Sequence, residues 1–509
     1  MSEPFAYDVV EYPSAGLPQM HPAHLFAVAR MFGCDPAPVE TCRYLELGCG
    51  DGTHLIACAM GLPDATFVGV DLSAEAVGRG QKLIAELGLS NVALHAADVT
   101  VWKPPAGGFD YACAHGLYSW VPAPVRDAAM AVLSAALPPH GIGYVSYNAY
   151  PGCYVRRMVW EIMRHHTANT HDPARKVREA TDLLKFLVTG LPTEGRKPPA
   201  DAYAHEMTEL LREKHPAALY HDDLSAVNEP VYFHQFAEHA GRHGLRFVAE
   251  AEPEMTETRA FPPMITGVLD GMAAKDVLLK EQYLDFLRLR RFRQTVLAKD
   301  GRPPAVRPDE ARVTTLAVSG PLRFEGDTAD IHSPAPLTFR RAEAMVQTDQ
   351  PLIKAVLLTL AERAPQRMTF EQLLNETAKR LGQGEPTADD RSRLCVILTQ
   401  AWMVGVIALH GHIPQCLDRV SERPRACPFA RARCRTGGAV TTRLFKSQTF
   451  DDAPIRRLLE LLDGTRTVDQ IAAGVADAFP PGERPEPVQL RADVDQRLRI
   501  MARDGLLIE

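Results

Sequence analysis

The sequence predicts an α/β fold, in which an open and mostly parallel sheet carries a helical insertion and is followed by α-rich C-terminal units. Three observations predict it. A buried strand near residue 45 runs into a glycine turn and a helix, and four further apolar strands follow with polar residues at their ends. The C-terminal half then repeats one pattern of three helices and a short strand. The chain has 509 residues, enough for about three domains.

The segment before the first strand is a Pro-rich approach from Tyr12 to Pro22, followed by a helical stretch that reaches Phe32. We expect this segment to fold over the ligand site of the sheet. It would then bring Tyr12, Gln19 and His21 to the bound ligand. The alternative is the ordinary packing of an N-terminal arm.

The stretch from Tyr44 to Thr53 predicts a strand, a turn with the spacing Gly-x-Gly-x-Gly, and the start of a helix. A dinucleotide loop places a pyrophosphate on a helix N-terminus, where the acids Glu46 and Asp51 would repel it. Two carboxylates suit a ligand with a sulfonium and an ammonium group, which favours S-adenosylmethionine (SAM) as the cofactor. The glycines allow the backbone to approach it closely. The loop residues expected to bind SAM are Glu46, Gly48, Cys49, Gly50 and Gly52.

The second and third strands each lead to an acid. Asp71 ends the strand from Thr66 and lies 23 residues after Gly48, the span of one strand–helix–strand unit. An acid at that position can accept hydrogen bonds from both ribose hydroxyls. Asp98 follows the third strand, where it could bind the adenine amino group. Their neighbours Leu72 and Val99 are expected to line the same site. Solvated loop acids are the alternative.

Polar and aromatic runs follow the fourth strand, as His115–Trp120, and the fifth strand, as Tyr147–Gly152. Ligands of open α/β sheets lie outside the carboxyl ends of the strands, so these runs are placed to hold a methyl acceptor. His115 is also a candidate cofactor contact. The alternative is that each aromatic ring only packs in the wall of the site and does not contact the acceptor. The candidate catalytic residues are Tyr118, His115, Trp120, Tyr147 and Tyr150.

The fifth strand is followed by a helical stretch over about 153–225, with a polar break at Thr193–Ala200. The helix at 230–240 and the strand at 245–250 then look like the closing elements of the sheet. The stretch 153–225 is therefore predicted to be an insertion that covers the site or forms a dimer. Apolar residues that recur at intervals of three and four residues predict one helix over 276–298. Its four arginines favour a solvated or ion-paired face over a nucleic-acid face.

The C-terminal repeat predicts helices at 352–363, 369–381 and 389–404 with a strand at 406–410. It predicts the same series at 456–462, 467–479, 489–504 and 506–509. Such units resemble winged helices. The last long helix carries four arginines against four aspartates, which favours protein contact over DNA binding. The predicted domains are a SAM-binding domain (1–255), a helical linker or regulatory region (256–330), a middle winged-helix-like domain (331–415) and a C-terminal one (436–509).

Composition excludes several classes of protein. A net charge of −7 gives no general attraction to nucleic acid or membranes, and no apolar run is long enough to insert into a bilayer. Ten scattered cysteines without a disulfide-like framework favour a reducing cytoplasm. His412, Cys416, Cys427 and Cys434 lack the close Cys-x-x-Cys pair of a compact zinc site, so no metal is expected.

The runs "YLELGCGDG", "HGLYSWVP", "SYNAYPG", "PVYFHQFAEHAGRHGL" and "EQYLDFLRLRRFRQT" resemble bacterial class I methyltransferases with an appended methyltransferase regulatory domain. That group includes the rickettsial outer-membrane-protein lysine methyltransferases. The resemblance covers about residues 7–300 and, more loosely, the repeats. It implies a Rossmann-like, SAM-binding domain with a helical insertion, and accessory domains that help to hold a protein substrate.

Methyl transfer is an in-line displacement, in which positioning supplies most of the rate. A lysine acceptor, with a pKa of about 10.4, must first lose its proton, and a nearby sulfonium and desolvation lower that pKa. Aromatic rings could form a slot for the alkyl-ammonium, and His115 or Tyr118 could accept the proton. The sequence thus favours methylation of protein lysines. A methyltransferase of a small molecule and a non-enzymatic SAM sensor remain alternatives.

Overall fold

The structure, a computed structural model, describes residues 6–191, 198–213, 215–299, 301–326, 329–341, 344–417, 419–450, 452–480 and 482–508. Its main sheet consists of β1 (Arg43–Leu47), β2 (Thr66–Asp71), β3 (Val92–Ala96), β4 (Tyr111–Ala114), β5 (Ile142–Asn148), β6 (Arg246–Glu250) and β7 (Phe292–Ala298). The strand order is β3-β2-β1-β4-β5-β7-β6, with β1 to β5 parallel and β7 antiparallel to both of its neighbours. The predicted α/β fold is confirmed.

Helices cover both faces of this sheet. They are α1 (Ala6–Val9), α2 (Pro22–Met31), α3 (Thr53–Gly61), α4 (Ala74–Leu87) and α5 (Ala123–Ala136). The ends of α4 show how the sequence sets such boundaries. The Ser73 hydroxyl accepts a hydrogen bond from the Ala76 amide at 3.0 Å, and Gly88 takes the left-handed conformation that ends the helix. One core packs under α2 and α3, and a second packs under α5.

The predicted helical insertion follows β5. It contains α6 (Cys153–His166), α7 (Pro173–Gly190), α8 (Pro198–Glu213) and the short α9 (Pro216–Ala218). Most of the predicted break at Thr193–Ala200 lies outside the described residues. The insertion has an apolar core of its own around Trp160, Met163, Leu184 and Met207. The chain then returns to the sheet through α10 (Phe233–Arg242) and β6, as predicted.

The single helix predicted over 276–298 is wrong in its second half. After α11 (Pro263–Ala273), the helix α12 (Val277–Arg288) ends at Leu289, which has a left-handed φ of +48°. The chain then forms β7, which fills the place between β5 and β6. The prediction failed because Arg293 lies on the buried face of β7, so the alternation typical of a strand is hidden by a charged residue.

The C-terminal half confirms the three helices predicted for each repeat. Its elements are β8 (Ala317–Ser319), β9 (Arg323–Glu325), β10 (Leu337–Arg341), β11 (Ala344–Thr348), α13 (Pro351–Arg363), β12 (Met368–Thr369), α14 (Phe370–Arg380), α15 (Ala388–Met403), β13 (Ala408–His410), α16 (Pro428–Thr436), β14 (Val440–Thr441), β15 (Ser447–Gln448), α17 (Ala453–Leu461), α18 (Val468–Ala476) and α19 (Pro487–Arg503). Equivalent capping boxes start α14 and α18, at Thr369 and Thr467. The strand predicted over 506–509 is wrong, because in its described part Leu507 forms one isolated bridge, with Ala426.

The last three helices pack directly on the sheet domain. Ile56 of α3 belongs to the apolar core that α17, α18 and α19 build, and Met60, Leu83 and Leu87 pack against that core. Since α3 begins at the glycine loop, the C-terminal unit supports the helix that carries the loop. The winged-helix assignment and the domain boundaries stay predictions.

Candidate cofactor and acceptor site

The register of the sheet brings three predicted segments together. Leu47 pairs with Val70 of β2 and with Ala114 of β4, so the residues that follow these strands emerge side by side. Gly48, Asp71 and His115 therefore lie along one edge of the sheet.

The glycine loop has the conformation that its sequence requires. Gly48, Gly50 and Gly52 have φ angles of +74°, +56° and +70°, which a residue with a Cβ rarely adopts. A Cβ placed on Gly50 would meet no atom within 4 Å, whereas one placed on Gly52 would lie 2.6 Å from the Leu94 side chain. Gly52 is thus fixed by close packing, and Gly50 faces open space over the loop.

Carboxylates surround this open space. The Gly50 amide donates to Asp71 at 2.8 Å, and the Asp51 carboxylate accepts from the Thr53 amide at 3.0 Å and from the Ser14 hydroxyl at 2.9 Å. Glu46 is only 5% exposed, and its Oε2 atom has no hydrogen-bond partner among the described residues. Burial, followed by the charges of Asp71 and Asp51, raises the pKa of Glu46 well above its usual value.

An unpartnered buried carboxylate beside an open glycine loop fits a ligand that carries ammonium and hydroxyl donors. A pyrophosphate does not fit this charge. The residues therefore suit the methionine and ribose parts of SAM, and their contacts with SAM stay predictions.

The other predicted cofactor residues are placed unequally. Leu72 is exposed beyond Asp71, and Asp98 is exposed with its carboxylate bonded to Thr100, so both are accessible to a ligand. Val99 is half-buried against the core under α5. Cys49 is buried, with its sulfur 2.7 Å from where a Cβ of Gly69 would lie, so its side chain packs on the sheet. A backbone contact from Cys49 stays a prediction.

The N-terminal arm crosses this edge of the sheet, and each of its three predicted residues contacts another part of the chain. Tyr12 is exposed, with its hydroxyl 3.4 Å from Asp222 of the insertion. Gln19 donates to Glu252 at 3.0 Å. His21 is buried, caps α2 through the Ala23 amide and packs on Phe445. His21 is therefore a packing residue of the arm.

Sequence reasoning missed two residues of the arm that do reach the site. The Tyr7 ring stacks on His221 of the insertion, 4.1 Å between centroids, and burial and the charges of Asp222 and Asp71 raise the pKa of its hydroxyl. Asp8 accepts from the Ser73 hydroxyl at 2.5 Å. No motif marks these residues, because their partners come from distant parts of the chain.

His115 has the clearest placement on the acceptor side. Its Nδ1 atom lies 3.0 Å from the Tyr144 hydroxyl, which donates to Gln294 at 2.7 Å. Because the Tyr144 proton is used on Gln294, the hydroxyl oxygen accepts from His115, so the proton of His115 is assigned to Nδ1. The Nε2 atom then carries a lone pair. Burial lowers the pKa of His115 to about 4.

The predicted aromatic slot is divided between separate environments. Tyr118 and Tyr147 are buried in the core around Phe236, and the Tyr118 hydroxyl bonds His239 at 2.8 Å. Their packing favours a structural role, and the catalytic role stays a prediction.

The other two aromatic residues differ from each other: Tyr150 is buried against the insertion, whereas Trp120 has an unused donor. Tyr150 stacks on Tyr154 of the insertion at 4.2 Å, and its hydroxyl accepts from Arg157 at 2.6 Å. Trp120 is half-buried, and its indole N–H is a buried donor without a partner among the described residues. Trp120 and His115 are therefore the better candidates for acceptor contacts.

The residues His412, Cys416, Cys427 and Cys434 do not gather at one point. His412 instead bonds Glu40 at 2.7 Å. Within the described part of the chain, three metal-ligating side chains converge only at Asp127, His239 and His243. No helix in that part is long and apolar enough to cross a membrane.

Comparison with known proteins adds the family context. Residues 45–141 match a methyltransferase domain, and residues 215–299 match a predicted methyltransferase regulatory domain. Two uncharacterized proteins of Rickettsia prowazekii are similar. RP789 is 31% identical over 382 residues, which are 74% of this chain and 68% of the relative, and RP028 is 34% identical over 243 residues, which are 48% of this chain and 96% of the relative.

Among solved structures, PKMT2 from Rickettsia typhi is similar over 98% of this chain and 100% of its own, with a TM-score of 0.86 and 26% sequence identity. PKMT2 has also been solved in complex with AdoHcy. Together with the matched methyltransferase domain, this confirms SAM as the cofactor.

Proposed function

The chain belongs to the bacterial SAM-dependent methyltransferases that carry a predicted regulatory domain, and from this premise we propose that it methylates lysine side chains of a protein. The observation that carries the proposal is the similarity to PKMT2 over almost the whole chain, including the accessory domains. Domains of this size beside the site fit a macromolecular acceptor better than a small one.

When bound, SAM supplies a methyl group on a sulfonium that is already a good leaving group. In our proposal Glu46 and the open backbone at Gly50 hold its methionine part. The Asp71 carboxylate accepts hydrogen bonds from the ribose hydroxyls, and the Asp98 carboxylate accepts one from the adenine amino group. Tyr7 and Tyr12 cover this edge from the arm, so the chain's main contribution is to position the reactants and exclude water.

His115 serves as a hydrogen-bond acceptor for the neutral amine. The pKa of His115, about 4, lies below the ordinary value of about 10.4 for a lysine and also below the value of about 5–6 that a buried lysine can reach. Complete proton transfer to this imidazole is therefore unfavourable, and the amine loses its proton to water before attack. The lone pair on Nε2 then orients the amine through an N–H bond. The unpartnered indole N–H of Trp120 lies in the same loop.

The first experiment tests cofactor binding with a matched pair of variants. Gly50→Val fills the open space over the loop, whereas Gly33→Val introduces a side chain at a similar positive φ, also in open space, outside the loop. Calorimetry should show a loss of SAM affinity of more than about 100-fold for Gly50→Val and little change for Gly33→Val. Wild-type affinity in a folded Gly50→Val protein would contradict this loop as the site.

The second experiment identifies the acceptor. Purified protein, methyl-labelled SAM and a bacterial lysate are incubated, separated by size and hydrolysed to amino acids. Label in a protein band that yields methylated lysine supports the proposal, and Gly50→Val should abolish it. Label only in the small-molecule fraction would favour the alternative acceptor class. A SAM-binding protein that transfers no label to either fraction would indicate a sensor.

A further inference from the structure

A cluster of two histidines and one aspartate lies between α5 and α10, apart from the cofactor site. Asp127 is on α5, while His239 and His243 are four residues apart at the end of α10. The two Nε2 atoms lie 3.1 Å and 2.8 Å from the same Asp127 carboxylate oxygen. His239 is buried, His243 is half-buried and Asp127 is exposed.

The spacing of these atoms is close to that of metal ligands. With metal–ligand bonds of about 2.0–2.2 Å, two ligands of a tetrahedral ion lie about 3.3 Å apart. The two distances to Asp127 are shorter than this by about 0.2 Å and about 0.5 Å, and the three ligand atoms all lie within 4.8 Å of one another. Because Asp127 is exposed, its side chain can move outward to lengthen both distances.

The other nitrogen of His239 is also held. Its Nδ1 atom lies 2.8 Å from the hydroxyl of Tyr118, which is buried under α10. A histidine that binds a metal through one nitrogen usually donates from the other to a fixed partner, which sets the ring orientation. Tyr118 is that partner here, and it belongs to the loop that follows β4.

We propose that Asp127, His239 and His243 form a binding site for a divalent transition-metal ion of the Zn²⁺ class. Two imidazoles and one carboxylate are ligands that Zn²⁺ accepts, and the exposed side leaves a further position for water. The guanidinium of Arg242 lies nearby, but it is exposed and pairs with Glu238. The ion would join α5 to α10 and, through Tyr118, fix the loop that carries His115.

The test is a titration of the full-length, reduced protein with Zn²⁺ and with Co²⁺. Calorimetry should show one equivalent of Zn²⁺ bound, and the absorption spectrum of the Co²⁺ form should lack a thiolate-to-metal band. Affinity should fall by more than about 100-fold in His243→Ala and in Asp127→Ala. It should fall by about 10-fold in Tyr118→Phe.

His205→Ala, which removes an exposed histidine of α8, is the matched control and should leave the affinity unchanged. Zn²⁺ should raise the melting temperature of the wild type and of this control, but not that of His243→Ala. Circular dichroism checks that each variant is folded. The proposal would be overturned if the wild type bound neither ion, or if His243→Ala and Asp127→Ala bound Zn²⁺ with wild-type affinity. A thiolate-to-metal band in the Co²⁺ form would overturn it as well.

Discussion

Arg293 offers the sharpest test of how α10 and α12 are attached to the sheet. Its guanidinium is fully buried and donates to Glu250 at 2.7 Å, to Asp285 at 2.8 Å and to the Glu281 carbonyl at 2.9 Å. It also lies 3.9 Å from the centre of the Phe233 ring. A single side chain thereby joins β7 to β6, α12 and α10.

The substitution Arg293→Met keeps most of the volume and removes the charge. It leaves the carboxylates of Glu250, Asp285 and Glu281 buried, with Arg290, Lys280 and Arg288 as their remaining cationic neighbours. Breaking a buried pair in this way costs about 3–5 kcal/mol, because the remaining charge is uncompensated. In a domain of roughly 150–250 residues, that corresponds to a fall in melting temperature of roughly 10 °C.

The neighbouring Arg291→Met is the matched control. Arg291 is half exposed, and its buried partner Glu206, at 2.7 Å, also has the guanidinium of Arg156 at 3.4 Å, so removing Arg291 leaves that carboxylate paired and should cost less than the loss of Arg293. Denaturant unfolding at pH 8 should therefore separate the two variants clearly. The gap between Arg293→Met and wild type should narrow as the pH falls, because the uncompensated carboxylates can take up protons. Equal stability of the two variants at pH 8 would refute the reasoning.

Three further predictions concern the site and its supports. Arg433→Ala should weaken SAM binding by about 3- to 10-fold in calorimetry, because it removes the cation that orients the Asp51 carboxylate of the loop. The control Arg435→Ala, which removes an exposed neighbouring arginine, should leave SAM binding unchanged. Tyr118→Phe should lower the free energy of unfolding by about 1 kcal/mol, because the hydrogen bond to His239 is lost, and should leave kcat nearly unchanged. A large fall in kcat would instead indicate a catalytic role for Tyr118. Burial lowers the pKa of His54 to about 3, so this side chain alone makes stability fall by at most about 5 kcal/mol as the pH drops from about 6.5 toward 3. Between pH 7 and pH 5 its share is about 2 kcal/mol, so the free energy of unfolding of a His54→Gln variant should fall by about that much less than the wild type's over this range; an equal fall in both proteins would contradict the prediction.

Six of the seven strands and the glycine loop could be predicted because both appear as local patterns. Apolar strands of five or six residues, the spacing of Gly48, Gly50 and Gly52, and acids at strand ends all appear within short windows of sequence. The helices of the repeats could be predicted in the same way, because capping residues such as Thr369 mark where they begin.

The rest depended on contacts between distant segments. Strand β7 was hidden because Arg293 occupies a buried position that sequence patterns assign to apolar residues. The side chains of Tyr118 and Tyr147 were expected at the site, yet their rings fill the core on the α10 side. Which way a ring after a strand turns is decided by partners such as Phe236, and no local pattern reports these.

The contact between the C-terminal half and the glycine loop has a thermodynamic consequence. Arg433 of α16 lies 3.5 Å from the Asp51 carboxylate and donates to Ser14 at 3.3 Å, while Thr441 accepts from the Gly16 amide at 3.1 Å. These bonds hold the arm between the loop and the C-terminal unit. If they favour the loop conformation that binds SAM, then bound SAM must favour the docked C-terminal unit by the same free energy. Protection of the C-terminal helices from proteolysis should therefore increase with SAM in the wild type, and Arg433→Ala should reduce that increase.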